Sequence, residues 1–178
     1  SRPRNKRICY NFSMDNKFLV SIIIPVFNEE QNIDPLIKRL IPVLKNYQYE
    51  IIFVDDGSKD KTPEIVKKQI NKNSQIKLVS FLRNFGHQMA LTAGYEISKG
   101  NCVITIDADL QDPPEIIPQM IAKWQKGAQI VYAKRNERQG ENFFKKFTAA
   151  IFYQLINFLS DTPIPQEVGD FRLLDKQV

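Results

Sequence analysis

Short β-branched runs alternate with helix-spaced apolar residues along most of the chain, and no other feature constrains its fold as much. "FLVSIIIPVF" (18–27) reads as a strand, and "EEQNIDPLIKRLIPVLKNY" (29–47) puts Ile33, Leu36, Ile37, Leu40 and Leu44 at helical spacing. "YEIIFVDDGS" (49–58) is a strand ending in a glycine turn. "KTPEIVKKQINKN" (61–73) is a helix with Thr62 as N-cap and Pro63 at its first position. A strand at 76–82, a helix at 86–100 closing near Gly100, a strand at 101–107, a helix at 112–127 and a strand at 128–134 follow. A long aromatic helix is expected at 141–160 and a last strand at 169–175. Such alternation implies right-handed βαβ units, hence an α/β fold with a mainly parallel twisted sheet and helices on both faces. The 178 residues suffice for one domain with a real core, and no repeat or second-domain linker is visible.

Sheets of this kind bind ligands beyond the carboxyl ends of their strands. Three strand ends carry unusual chemistry: "PVFNEE", "VDDGS" and "DADLQ". Three of the acids have plain structural readings. Asp55 and Asp56 precede Gly57, which is ordinary turn chemistry, and Asp112 suits a helix N-cap with Pro113 first and Glu115 third. Asp107 and Asp109 are different. On extended chain they point the same way, and two carboxylates on one side repel unless a cation or proton separates them. Mg2+ or Mn2+ resolves that conflict with carboxylates and substrate phosphates, and Gln111 can add a neutral oxygen. The absence of a His or Cys cluster argues against zinc. There is neither a G-x-x-x-x-G-K-[ST] loop nor a G-x-G-x-x-G turn after the first strand. A nucleotide held by acids and a metal, without a glycine cradle, suggests a nucleotide-sugar enzyme.

"VSIIIPVFNEEQNI", "EIIFVDDGSKDKT", "FLRNFGHQMALTAG", "VITIDADLQDPPE" and "GDFRLLD", in that order, resemble family 2 glycosyltransferases of the polyprenyl-phosphate type, related to dolichol-phosphate mannose synthase. The resemblance runs from about Leu19 to the end, leaving residues 1–18 as a basic N-terminal extension and 19–178 as a GT-A catalytic domain. It implies a GT-A fold and inverting transfer of a hexose from a nucleotide sugar to a polyprenyl phosphate. Pro25, Phe27 and Glu29 would contact the nucleoside, Asp56 the base, and Asp107 the ribose or diphosphate. Asp109 and Gln111 would hold the metal, Arg135 and Arg172 would contact phosphate, and Asp170 falls where a catalytic base is proposed. The spellings "NFGHQMALTAG" and "GDFRLLD" look more like the bacterial glucosyl-type members, which favours UDP-glucose or another UDP-hexose over GDP-mannose. Family members commonly continue into membrane helices, so an excised domain acting at the cytoplasmic face of a bacterial inner membrane is expected, anchored by segments outside this chain. The alternatives are a soluble family 2 transferase acting on a glycan or protein hydroxyl and a nucleotide-binding module without chemistry. The intact Asp107, Asp109 and Gln111 set argues against the module.

The remaining features fit around this reading. Apolar content of 43% and charged content of 25% suit a soluble globular protein. The net charge of +5 divides into +4 over residues 1–19, −2 over 20–122 and +3 over 123–178. Basic ends suit an anionic membrane surface or a solvated tail, and no nucleic-acid partner is expected. Cys102, in an apolar run, reads as a buried free thiol in a reducing compartment. His87, the only histidine, starts a helix near the site, where a position without chemistry is the default reading and a role in donor binding is the alternative. Trp124 reads as core. The 141–160 helix reads as core or as a membrane-facing element whose Lys145 and Lys146 meet lipid phosphate, and it could pair subunits in a homo-oligomer. "KRNERQGEN" (134–142) reads as a loop that closes over the donor.

Overall fold

The computed structural model describes residues 18–134 and 168–178. The elements run β1 (Leu19–Val26), α1 (Ile33–Leu44), β2 (Gln48–Asp55), α2 (Thr62–Lys72), β3 (Ile76–Ser80), α3 (His87–Ile97), β4 (Cys102–Thr105), a 3-10 turn (Pro114–Ile116), α4 (Ile117–Gln125), β5 (Ile130–Lys134) and β6 (Val168–Asp175). They form one six-stranded sheet ordered β3-β2-β1-β4-β6-β5. β1 pairs in parallel with β2 and β4, and β2 with β3, whereas β6 runs antiparallel to both β4 and β5. The sheet is therefore mainly parallel, as the alternation implies. The reversed strand between β4 and β5 is not apparent from that alternation.

Both faces of the sheet are covered. β1 is buried from Val20 to Val26, which is why its sequence is apolar on both faces, Ser21 excepted, instead of alternating. Ile22, Ile24, Phe53 and Ile104 face a core that includes Leu36, Leu40 and Leu44 of α1, Val66 of α2, and Ile117 and Ile121 of α4. Each such side chain contributes roughly 1.5–3 kcal/mol of hydrophobic stabilisation. On the other face Ile23, Ile52, Val54 and Val103 meet Ala90 and Leu91 of α3. Ala90 and Gly94 lie one turn apart, and a Cβ on Gly94 would collide with the Ile23 side chain. Small residues thus let α3 lie close against β1.

Several element ends differ from the sequence reading, each for a local reason. The cap of α2 is not the Thr62 side chain. Helix α2 begins at Thr62, whose N–H and hydroxyl both donate to Asp60 Oδ1 (3.0 and 2.6 Å), a stronger acceptor, while the same hydroxyl accepts the Glu29 N–H (2.8 Å). Helix α3 ends at Ile97, and Gly100 is required instead because a Cβ there would strike Ser21 and the Cys102 carbonyl. The N-cap position is not Asp112 but falls at Pro113. Pro114 drives Pro113 to an extended ψ of 110°, so the chain enters α4 through a 3-10 turn without a side-chain cap. Asp112 is instead buried, and Glu115 forms a forked pair with Arg39 of α1 (2.9 and 2.7 Å). Trp124 is partly buried as expected; it packs edge-on against Phe18 and donates its indole N–H to Asp175 (2.6 Å). Cys102 is a buried free thiol, and burial, aided by Asp175, pushes its pKa up to about 12. That makes it a packing residue rather than a nucleophile. Cys9, the extension up to Lys17, most of the 134–142 loop and the 141–160 helix lie outside the described residues.

At the base of the sheet Glu50 of β2 is only 4% exposed. Its Oε1 accepts from the Ser21 hydroxyl (2.5 Å) and the Lys99 N–H (2.6 Å), and its Oε2 from Lys77 Nζ (2.6 Å). Burial pushes this carboxyl up, but the bonds from Lys77, Ser21 and Lys99 outweigh it and hold the group below its ordinary 4.5. A depressed carboxylate stabilises the fold above its unfolded pKa, and that contribution is lost as pH falls through the folded value. Glu50→Gln is expected to cost about 1–3 kcal/mol at pH 7. Urea unfolding across pH should show the gap between the two proteins closing as pH falls below the ordinary glutamate value.

Candidate active site

The carboxyl ends of β1, β2 and β4 open into a cleft of about 440 Å3. Pro25, Phe27, Glu29, Asp56, Asp107 and Asp109 all line it, so six of the residues singled out from the sequence meet at one place. Gln111, Asp170 and Arg172 are not part of its lining. Arg135, Lys145 and Lys146 lie outside the described residues.

Two loops form one wall, and they hold each other. After β1 the chain turns through Asn28, a non-glycine residue at φ 57°. Its N–H donates to Ser58 Oγ (2.9 Å), and its side-chain oxygen accepts the Lys59 N–H (2.9 Å). The Glu30 N–H donates to Asp60, and the Lys61 N–H donates back to Glu30. This reciprocal stitching satisfies loop backbone that would otherwise need water. It leaves Phe27 41% exposed at the mouth of the cleft and ties the Glu29 carboxylate to Asn32 (2.6 Å).

Asp56, just past β2, is buried and accepts the N–H of Phe85 on one oxygen (2.7 Å) and of Gly86 on the other (2.9 Å). Gly57, at φ 75°, leaves room for the backbone of Arg83, which any Cβ there would strike. The "DDGS" segment is thus a turn, with Asp55 Oδ1 accepting the Ser58 N–H (3.0 Å), and also a clamp on the loop that leads into α3. Asn84, Gly86 and His87 from that loop and helix line the cleft too.

On the opposite wall β4 ends at Thr105, two residues earlier than the sequence reading. Asp107 and Asp109 are therefore not an extended pair. Asp109 sits in a turn closed by Leu110 at φ 63° and accepts the Gln111 N–H (3.0 Å), leaving Gln111 exposed. The electrostatic expectation survives this change of geometry. Burial, with the nearby charges of Asp112, Asp109 and Asp170, raises the Asp107 pKa, and His87 alone opposes them among the causes. A cation beside Asp107 and Asp109 would remove that conflict. Among the described residues no group of three His, Cys, Asp or Glu is arranged to hold a metal by itself. Two carboxylates without a third fit a hard divalent ion that completes its shell with substrate phosphate and water.

Asp170 and Arg172 of β6 stand beside the cleft. Asp170 Oδ2 lies 3.0 Å from His87 Nε2, and its Oδ1 lies 4.0 Å from the Arg172 guanidinium, which also reaches Tyr95 Oη at 3.5 Å. The contact of His87 with Asp170 is not among the roles its sequence position suggests. The signal available was a lone histidine following a loop glycine at the head of a helix; its partner, 83 residues away, was invisible.

Comparison with known proteins places this cleft in context. The profile of Glycosyl transferase family 2 matches residues 21–178. An uncharacterized glycosyltransferase of Bacillus subtilis, YkcC, is 48% identical over 167 residues, which is 93% of this chain and 52% of that protein. The bactoprenol glucosyl transferase of Shigella phage SfV is 45% identical over 161 residues, 89% of this chain and 52% of that protein. The chain thus spans about half the length of the curated relatives it matches. Glucosyl-3-phosphoglycerate synthase of Mycobacterium tuberculosis, solved with uridine diphosphate, superposes with a TM-score of 0.64 at 20% identity, over 92% of this chain and 59% of that one, a likeness of fold. The expected GT-A-like fold is the observed one, and the chain belongs to glycosyl transferase family 2.

Proposed function

We propose that this chain is the nucleotide-sugar-binding and catalytic part of an inverting hexosyltransferase, with UDP-glucose as donor and a polyprenyl phosphate at the cytoplasmic membrane face as acceptor. The observation that carries this reading is the crowding of carboxylates at Asp107 in a cleft beyond the parallel strands. The name of the phage relative, bactoprenol glucosyl transferase, supports the acceptor and the sugar, and the uridine diphosphate in the mycobacterial neighbour supports the donor.

In this reading Pro25, Phe27 and Glu29 hold the nucleoside against the stitched loops. Asp56 reads the base with the lone pairs left by its two backbone contacts. Asp107 faces the ribose and diphosphate, and Asp109 with Gln111 holds Mg2+ or Mn2+. When bound, the ion supplies Lewis-acid neutralisation of the departing nucleoside diphosphate. Arg172, together with Arg135, Lys145 and Lys146, meets phosphate. The acceptor is a phosphate monoester, already anionic near neutral pH, so Asp170 has less proton to remove than it would from a hydroxyl and serves mainly to orient. Attack opposite the leaving group inverts the anomeric carbon.

Two measurements test this reading. A thermal-shift panel with Mn2+ should show UDP-glucose raising the melting temperature more than UDP-galactose or GDP-mannose, and no response to any of the three would sink the donor assignment. Asp109→Asn should lower transfer from UDP-glucose to a short polyprenyl phosphate by on the order of 10²-fold or more. Full turnover by that variant would remove Asp109 from the metal site.

Asp107 carries a separate signature. A carboxyl with a raised folded pKa costs no stability below its unfolded pKa of about 3.9, and the cost grows as pH rises through the folded value. In chelator at pH 7, Asp107→Asn should therefore melt higher than the parent by about 2–4 °C, and the difference should vanish near pH 3. Mn2+ should stabilise the parent more than the variant. A variant that melts lower than the parent in chelator would show that the carboxylates are not in conflict.

A further inference from the structure

Asp170 occupies the point where the pairing of β6 breaks down. Its ladder with β4 extends only to Thr105 opposite Arg172, and Asp170 lies beyond that pair. On the other side β5 pairs at Tyr132 with Arg172 and next at Lys134 with Val168, so four steps along β6 oppose two along β5. The backbone at Asp170 is thus bulged, and regular strand pairing does not fix the direction of its side chain. Bulges beside active sites commonly re-aim a side chain in this way. Two other contacts take over. The Thr105 hydroxyl donates to the Asp170 carbonyl, and His87 Nε2 meets its carboxylate at 3.0 Å.

His87 is itself held firmly. It is the first residue of α3, directly after Gly86, and the N–H groups of Phe85 and Gly86 are both bound by the buried Asp56. A continuous line of contact therefore runs from Asp56, just past the end of β2, through the head of α3 to Asp170 on the reversed strand. An ionised carboxylate only accepts, so the imidazole must be the donor and must carry its proton on Nε2.

We propose that His87 is a positioning residue for the transfer reaction, fixing the Asp170 carboxylate toward the acceptor across the gap left by the bulge. The proposal rests on the reading that Asp170 orients the acceptor. His87 acts through Asp170 and makes no essential contact with the donor, although it lines the same cleft. A hydrogen-bond donor at that reach is the required property, so glutamine can replace it in part and alanine cannot.

His87 is the only histidine in the chain, so labelling histidine with nitrogen-15 gives a single imidazole. Its two-bond correlation spectrum should show a proton on Nε2, and Asp170→Asn should move that resonance. A proton on Nδ1 alone, or no response to Asp170→Asn, would overturn the contact without reference to any substrate. In transfer assays His87→Ala should lower kcat about 10–100-fold, the range of residues that orient a functional group from behind. Nucleotide-sugar affinity should be unchanged, His87→Gln should recover part of the loss, and His87→Ala combined with Asp170→Asn should be no slower than Asp170→Asn alone. Unchanged kcat in His87→Ala, parallel losses of affinity and turnover, or additive effects in the double variant would each overturn the proposal. If the parent protein fails to transfer to polyprenyl phosphate, the acceptor reading fails instead, and the imidazole spectrum still decides the contact.

Discussion

One strand holds one helix at both ends, and the site depends on that restraint. Glu50, at the start of β2, binds the Lys99 N–H and the Ser21 hydroxyl, which in turn accepts the Gly100 N–H. Asp56, just past the other end of β2, binds the N–H groups of Phe85 and Gly86. α3 lies between these points, pressed onto β1 through Ala90 and Gly94. Both carboxylates are buried, and a buried charge is tolerable only when its lone pairs are satisfied. Each of these acids accepts at least two hydrogen bonds, so the cost of burial is converted into a fixed place for the helix. Because the head of α3 lines the cleft, a network at the foot of the sheet and a clamp at its top jointly set the position of His87.

The cleft shows the opposite use of charge. Asp107 stands among Asp109, Asp112 and Asp170, with His87 as the opposing charge, and its pKa rises. A protein gains no stability from such an arrangement, and perturbed carboxylates of this kind concentrate where a ligand or ion supplies what is missing. Glu50 and Asp107 are both acids on or beside the same sheet, yet their titrations shift in opposite directions. The difference lies in their partners. Glu50 has an ammonium, a hydroxyl and a backbone N–H, while Asp107 has mainly other carboxylates.

Legibility in the sequence followed the range of the interactions. The strand-end acids were legible because each lies next to an apolar run that must stop where it leaves the core. Four of them, Glu29, Asp56, Asp107 and Asp109, do meet in the cleft with their neighbours Pro25 and Phe27. The i and i+2 argument for Asp107 and Asp109 assumed extended chain, whereas the strand ends at Thr105 and a left-handed Leu110 closes a turn. The helix starts later than Asp112 because Pro114 holds Pro113 extended, an effect of one proline on the residue before it. Thr62 does not cap α2 because its hydroxyl is taken by Asp60 and by Glu29 of a distant loop, a pairing that local sequence does not display. The pairing of His87 with Asp170 spans 83 residues and depends on a strand reversal, which no local pattern encodes.

This division has a physical counterpart in the site itself. All six cleft residues identified from sequence come from β1, β2, β4 and the turns that follow them, a run of parallel strands whose ends must fall on one edge. Local βαβ geometry is enough to assemble that half. Asp170 and Arg172 arrive instead on β6, antiparallel, after a connection of 33 residues between Lys134 and Val168. Their place is fixed by side chains of the first half: Thr105 on the Asp170 carbonyl, His87 on its carboxylate, Tyr95 at Arg172. If the first half takes the donor and the second addresses the acceptor, then the helix bearing His87 and Tyr95 is the part that sets one against the other. On the proposed function, displacing α3 would disturb the alignment of donor and acceptor while leaving the residues at the ends of β1 and β4 that line the cleft in place.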